Sequence, residues 1–240
     1  MNILGKINIF HIKIYKIFIF ACANIKIFVI LNIINKICTK GKNMASQVIE
    51  MACPGCGARV ATNQTVCEFC HKPVTISTFN SVYSMPLPEV NKYAGAYRKA
   101  LAEYPENQQL NHSVAMCYLK LKLYDKALEA FEKAMEDNFD NSEAFFYAAV
   151  CELKGKKAFL QQRPVINKIE EYLQAATMIE PLGIYYYFWA YIKYDYYKRK
   201  YLNTTPNWED MLAQAEAYGL SPYDVDQLYG ILGVERPADL

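Results

Sequence analysis

Residues 111–139 read NHSVAMCYLKLKLYDKALEAFEKAMEDNF, and small, aromatic and apolar residues recur in this stretch with a helical spacing. Ala115 is followed three residues later by Tyr118, and after a short polar break come Phe131 and Ala134. Small residues let two antiparallel helices approach closely, while aromatic side chains fill the spaces beside them. The stretch therefore predicts a pair of packed helices.

The same pattern returns 34 residues away in both directions. The corresponding pairs are Ala115 and Ala149, Cys117 and Cys151, Ala100 and Ala134, and Tyr97 and Phe131. A unit of about 34 residues built from paired helices resembles the tetratricopeptide repeat. The resemblance implies an all-α fold, a solenoid of helical hairpins, over residues 88–240.

The predicted order is a leading helix at about 88–104, three hairpins, and a closing helix at 222–232. From Ala149 to Ala176 there are 27 residues, where Ala115 to Ala134 spans 19, so an eight-residue insertion is expected around 156–164. The third hairpin is a looser match to the repeat, and its helices are expected at 183–201 and about 206–218.

Tetratricopeptide domains hold peptides along the concave surface formed by the first helix of each hairpin. By register, the resemblance implies an apolar groove with two lysines one repeat apart, which could meet the carboxylates of an acidic or C-terminal peptide. The groove residues it implies are His112, Met116, Leu119, Lys120, Phe146, Val150, Leu153, Lys154, Phe188, Ile192 and Asp195.

Ten aromatic residues lie within residues 185–201. One stripe of a helix cannot bury all of them. Some must therefore be exposed or line a groove, or else pack against the leading and closing helices.

Residues 53–71, CPGCGARVATNQTVCEFCH, contain two C-x-x-C pairs separated by ten residues. Each pair can bend the backbone into a knuckle that points two thiolates at one tetrahedral ion. Four sulfur donors leave no open position, so the site is predicted to be structural, holding one zinc ion. The ligands are Cys53, Cys56, Cys67 and Cys70.

The stretch resembles the short zinc ribbons of bacterial and archaeal proteins, a β-hairpin module. Val60 and Val66 are expected to pack near the metal, with Asn63 and Gln64 near the hairpin turn. Iron is a chemical alternative to zinc in a four-thiolate site. A disulfide pair would need an oxidising compartment, and the sequence has no convincing signal peptide. A redox C-x-x-C would be expected beside a βαβ pattern, and none is visible. His71 could replace a cysteine ligand, but four thiolates are already present.

Residues 1–43 carry seven lysines, no arginine and no acidic residue, and are rich in isoleucine and asparagine. They are interpreted either as untranslated sequence ahead of a true start at Met44 or as a membrane anchor through residues 17–34. Lys26 in the middle of that span disfavours the anchor, and a signal peptide fits less well because its apolar core is shorter.

The predicted domains are thus the leader 1–43, a zinc ribbon at 44–80, a linker at 81–87 and the helical repeats at 88–240. Residues 44–240 carry 19 basic and 24 acidic residues, a net charge of −5. This balance disfavours non-specific nucleic-acid binding. The ribbon region 44–80 has no basic excess either, with Arg59 and Lys72 balanced by Glu50 and Glu68.

Nucleotide-binding, hydrolase and metalloprotease motifs are absent from the sequence, and its three histidines, His11, His71 and His112, are far apart along the chain. These features favour a non-enzymatic, cytoplasmic adaptor that binds protein or peptide partners. One alternative is a nucleic-acid-binding ribbon whose helices recruit a partner. Another is a membrane-tethered adaptor, which requires residues 1–43 to be translated.

The two interpretations of the leader differ in mass. If Met44 is the start, the denatured protein expressed from its native upstream region in its own host will have the mass of residues 44–240. Intact-mass spectrometry checks this, and a mass that includes residues 1–43 would contradict the late start and direct attention to the membrane fraction.

Overall fold

The computed structural model describes residues 48–136 and 138–240, so the predicted leader lies outside the described residues. These described residues lie in one compact unit that is mostly helical, with a small antiparallel sheet near its beginning. Of the helices described, none is long and apolar enough to cross a bilayer. The candidate span 17–34 is not among the described residues.

The sheet pairs β1 (Glu50–Ala52) with β2 (Arg59–Ala61). The helices are α1 (Asn80–Tyr83), α2 (Leu87–Glu103), α3 (Gln108–Lys120), α4 (Tyr124–Met135), α5 (Ser142–Glu152), α6 (Arg163–Ile179), α7 (Gly183–Ile192), α8 (Trp208–Ala217) and α9 (Pro222–Leu232). A 3₁₀ turn at Ala158–Leu160 lies between α5 and α6, and α7 continues into a π-helical turn, Lys193–Tyr197, and a 3₁₀ turn, Lys198–Lys200.

Asparagines fix the beginnings of three helices. The side chains of Asn107, Asn141 and Asn207 accept hydrogen bonds from backbone N–H groups in the first turns of α3, α5 and α8. Such caps satisfy donors that the helix leaves unpaired. Helices α3 and α5 are each the first helix of a predicted hairpin, and α8 is the second helix of the third hairpin. Local sequence therefore sets where these helices begin.

Consecutive helices pack in the predicted order: α2 leads, α3 packs on α4, α5 on α6, α7 on α8, and α9 closes. Ala115 and Ala149 have no exposed surface. The loop between α3 and α4 has only three residues, 121–123, whereas α5 and α6 are joined by 153–162 with a 3₁₀ turn inside. The longer connection coincides with the predicted insertion.

The stretch after the second cysteine pair packs into the helical body. Val74, Ile76, Phe79 and Val82 are at most 1% exposed. Part of the predicted linker 81–87 is helical, since α1 covers residues up to Tyr83. This stretch, residues 74–83, is called the docked segment below.

Most of the aromatic run is core. The buried rings are Tyr185, Tyr187, Phe188, Tyr191, Tyr196 and Tyr197, while Tyr201 is 96% exposed. Phe146 stacks on Tyr185 with ring centroids 4.6 Å apart, and Tyr229 of α9 meets Tyr191 edge to face at 5.9 Å. The rings therefore join α5, α7 and α9 into one core.

The strand pairing differs from the expected hairpin. We expected the turn near Asn63 and Gln64, between the two cysteine pairs, but β1 and β2 lie on either side of the first pair. Val60 is buried as expected, whereas Val66 is 49% exposed. The physical reason is that residues 50–52 supply a partner strand ahead of the first knuckle, with the buried Ile49 and Met51 facing inward.

Replacing Ala115 by Trp should destabilise the helical body, because an indole must be forced between α3 and its neighbours. We expect a loss of about 3 kcal/mol or more in the free energy of unfolding, at the upper end of overpacking costs. Ala102→Trp, at an exposed position of α2, is the matched control. Urea denaturation measures both, and equal stability of the two variants would contradict the packing described here.

Candidate metal centre

The two cysteine pairs adopt the same backbone geometry. In the first knuckle, Cys53 donates its N–H to the carbonyl of Ala58 at 2.7 Å and accepts from the N–H of Gly57 at 2.9 Å. In the second, Cys67 donates to Lys72 at 2.9 Å and accepts from His71 at 2.8 Å. Both knuckles thus present their cysteines through equivalent hydrogen-bonded turns.

The residue after each second cysteine lies in the left-handed region. Gly57 has φ 85° and His71 has φ 54°. Glycine adopts this conformation without strain, whereas histidine does so at a cost. The turn needs the left-handed backbone conformation at position 71. The His71 side chain itself is exposed, and the structure assigns no ligand role to its imidazole.

The four sulfur atoms lie at the spacing a tetrahedral ion requires. The Sγ atoms of Cys53 and Cys70 are 3.7 Å apart, as are those of Cys56 and Cys67. All four lie within 4.8 Å of one another. Metal–sulfur distances of about 2.3 Å, as in zinc sites, place tetrahedral sulfur ligands about 3.8 Å apart. The cluster can hold one metal ion with no open coordination position.

The thiols influence one another's ionisation. A hydrogen bond from the Cys70 backbone, with further help from Phe69 and the neighbouring thiols, lowers the pKa of Cys67 to about 7. A hydrogen bond from the Lys72 backbone lowers the pKa of Cys70, but burial and the other three thiols outweigh it and raise the pKa to about 11. Four thiolates this close repel one another, and a divalent cation at their centre removes that repulsion.

The knuckles rest on helix α2. Lys92 donates to the carbonyl of Gly55, Lys72 pairs with Glu89 at 2.5 Å, and the hydroxyl of Tyr93 donates to the carbonyl of Pro73 at 3.3 Å. Gly55 is needed for close approach, since a Cβ atom there would lie 3.0 Å from Cys70 Sγ. The metal centre is therefore attached to the helical body by several polar contacts.

Beyond the knuckles, α2 and α3 bind the docked segment through its backbone. Tyr97 donates its hydroxyl to the carbonyl of Val74 at 3.0 Å. Ser113 Oγ accepts from the N–H of Ile76 at 3.0 Å and donates to its carbonyl at 3.1 Å. An extended stretch of chain is held as a bound peptide would be, by side chains that satisfy its main-chain groups.

The predicted groove residues lie on or just after α3, α5 and α7, and most of their side chains are buried by other parts of the chain. The buried ones are His112, Met116, Leu119, Phe146, Val150, Leu153, Phe188, Ile192 and Asp195. Lys120 is half-buried and donates to the carbonyl of Tyr83, and the exposed Lys154 pairs with Asp125 at 2.6 Å. The docked segment and α9 cover the surface that the sequence predicted to be open.

His112 has a structural place in this arrangement. Its Nε2 lies 3.0 Å from the carbonyl of Ser77, and its Nδ1 lies 3.1 Å from the side-chain amide of Asn141. Burial lowers the pKa of His112, so the neutral imidazole links the docked segment to the beginning of α5.

A cavity of about 310 Å³ remains between the docked segment, α5, α7 and α9. Glu143 lines it, accepts the N–H of Phe79 at 3.1 Å, and has its pKa raised to about 7 by burial. Gln227 of α9 donates to Asn80 at 2.7 Å across the cavity's edge. Sequence reasoning missed this region, although the apolar positions 74, 76, 79 and 82 were a visible signal of a buried face.

The chain matches no protein-family model, and no curated protein matches it at a significant level.

Because the docked segment joins the metal centre to the helices, loss of the metal should weaken both. Cys67→Ser should abolish stoichiometric metal binding and also lower the Tm of the helical signal by about 5 °C or more. Elemental analysis and thermal circular dichroism measure the two effects.

Two variants serve as controls for this prediction. Cys117→Ala removes a buried thiol outside the cluster, and His71→Gly relieves a left-handed histidine beside it. Each should keep one metal ion per chain, and His71→Gly should not lower the Tm. Loss of metal in His71→Gly would contradict the four-thiolate site.

Proposed function

We propose that this protein is a non-enzymatic protein–protein interaction adaptor, a tetratricopeptide-like helical repeat with one structural zinc ion at Cys53, Cys56, Cys67 and Cys70. The proposed location is the cytoplasm, where cysteines stay reduced and available to the metal. The zinc ion would contribute folding free energy and no chemistry, because four thiolates close its coordination sphere.

The observation that carries the proposal is the way α3 holds the docked segment. Ser113 and His112 bind its backbone at Ile76 and Ser77, and Lys120 reaches the carbonyl of Tyr83. Main-chain recognition of this kind accepts many sequences, while the buried pocket around Phe79 adds a side-chain preference. A partner with an extended apolar stretch could occupy the same surface when the docked segment leaves it.

The alternative of a nucleic-acid-binding ribbon has less support. In the ribbon, Arg59 pairs with Glu50, and Lys72 pairs with Glu89. Basic side chains that are already paired with carboxylates contribute little to phosphate binding, which depends on cations that displace counterions from the nucleic acid. A membrane-tethered adaptor depends on residues 1–43.

A synthetic peptide of residues 74–85, VTISTFNSVYSM, tests the proposal directly. In a chain carrying Ile76→Ser and Phe79→Ala, the contacts that hold the docked segment against α3 should be weakened. The labelled peptide should then bind from solution with micromolar Kd. Wild type should bind it far more weakly, because its own segment competes at high effective concentration. Fluorescence anisotropy measures binding, and circular dichroism confirms that the opened variant is folded.

Matched variants then locate the binding surface. Adding Ser113→Ala and Lys120→Ala to the opened chain should reduce peptide affinity at least about tenfold, since three main-chain contacts are lost. Adding Lys99→Ala, at an exposed position of α2, should not. A folded opened variant that binds the peptide no better than a scrambled one would refute the proposal.

A further inference from the structure

The inserted connection between α5 and α6 packs against the end of α7 and against the π-helical and 3₁₀ turns, Lys193–Lys200, that continue it. Phe159 donates its N–H to Asp195 Oδ2 at 2.8 Å, and Ala158 donates to the hydroxyl of Tyr191 at 3.4 Å. Lys200 Nζ lies 3.4 Å from the carbonyl of Gln161. Residues 156–163 and 198–201 therefore form one continuous surface, called the cationic surface below.

This surface concentrates positive charge in a part of the chain that is otherwise acidic. Neither stretch contains an acidic residue, while residues 44–240 as a whole carry a net charge of −5. The six bases are Lys156, Lys157, Arg163, Lys198, Arg199 and Lys200. Within the described part of the chain, only Arg199 of these six pairs with a carboxylate, that of Asp195, whose side chain is 3% exposed.

Two acidic residues in this region, Glu170 and Asp239, are already engaged. Glu170 pairs with Lys193 at 2.6 Å and accepts from the hydroxyl of Tyr197, and Asp239 accepts from Tyr194. They do not compete for the exposed bases. The surface thus keeps most of its positive charge available to a ligand.

Several of the cations are held in place by aromatic rings. Lys198 Nζ lies 4.4 Å from the centroid of the Trp208 ring, and Lys200 Nζ lies 3.9 Å from that of Tyr196. Arg199 lies 4.5 Å from the ring of Phe159. Cation–π contacts of this kind restrict the motion of long charged side chains. The positive charges are therefore pre-arranged.

Tyr201 adds a bare aromatic ring at the edge of these cations. It is 96% exposed and has a φ of 57°, a left-handed conformation unfavourable for tyrosine. Its ring makes no aromatic or cation contact within the described residues. An exposed ring beside fixed cations is the combination on which bases of single-stranded nucleic acids stack while their phosphates are neutralised.

We propose that the cationic surface binds single-stranded nucleic acid, with Tyr201 stacking on a nucleobase. The five basic side chains of the surface that do not pair with a carboxylate would contact phosphates: Lys156, Lys157, Arg163, Lys198 and Lys200. An anionic bilayer would also attract these charges, and Leu160 and Leu202 are exposed nearby at 68% and 43%. Cations fixed over rings suit regularly spaced phosphates, whereas a fluid bilayer requires no fixed positions. This role is separate from peptide binding on α3 and does not rest on it.

The test is fluorescence anisotropy of the full chain with a labelled oligouridine of about 12 nucleotides, over about 50–200 mM salt. The patch variant carries Lys156→Gln, Lys157→Gln and Lys198→Gln, and the control variant carries Arg98→Gln, Lys99→Gln and Lys126→Gln. All proteins share the lysines of residues 1–43, so their contribution cancels between variants. We expect the patch variant to bind the oligonucleotide at least about tenfold more weakly. The slope of log affinity against log salt concentration, called the salt slope, should be smaller in magnitude by about 2.

Tyr201→Asn separates stacking from charge, because asparagine tolerates the left-handed conformation and lacks the ring. It should weaken binding about 5- to 150-fold and leave the salt slope unchanged. Equal losses in the patch and control variants, or no effect of Tyr201→Asn, would overturn the proposal. So would binding to phosphatidylcholine–phosphatidylserine vesicles without binding to the oligonucleotide, which would assign the surface to a membrane.

Discussion

Among the described residues, no strand pairs with residues 75–77 of the docked segment, so the polar groups of this backbone need side-chain partners. Unpaired backbone groups inside a core cost free energy comparable to a lost hydrogen bond, and the segment carries buried side chains that keep it there. Ser113 and His112 supply the partners at Ile76 and Ser77. This requirement fixes where the metal centre sits on α2 and how the inner surface of α3 and α5 is closed.

The helical body could be predicted because its signals are local or periodic. The 34-residue recurrence of Ala115 and Ala149 indicates which helices pair, and the closing helix was expected at residues 222–232, where α9 lies. Cysteine spacing likewise predicts four sulfurs in one place, since each knuckle is a short turn whose geometry its own residues set. Such features depend little on distant parts of the chain.

The inner layer could not be predicted in the same way. Val74, Ile76 and Phe79 signal burial, but nothing in their spacing says which helix they meet. The repeat register assigns Phe146 and Phe188 to the first helices of their hairpins, yet it could not show that α9 and the docked segment lie against that part of α5 and α7. Coverage depends on contacts between residues far apart in sequence, which a periodic pattern does not encode.

The hydrogen bond between Gln227 and Asn80 joins residues 147 positions apart. During synthesis at about 5–20 residues per second, roughly 7–30 s pass between the appearance of Asn80 and that of Gln227. Throughout that interval Phe79 and Val82 have emerged, while the last helix that closes over their layer has not. The nascent chain therefore presents an apolar stretch close behind the cysteine knuckles, where a ribosome-associated chaperone would meet it first.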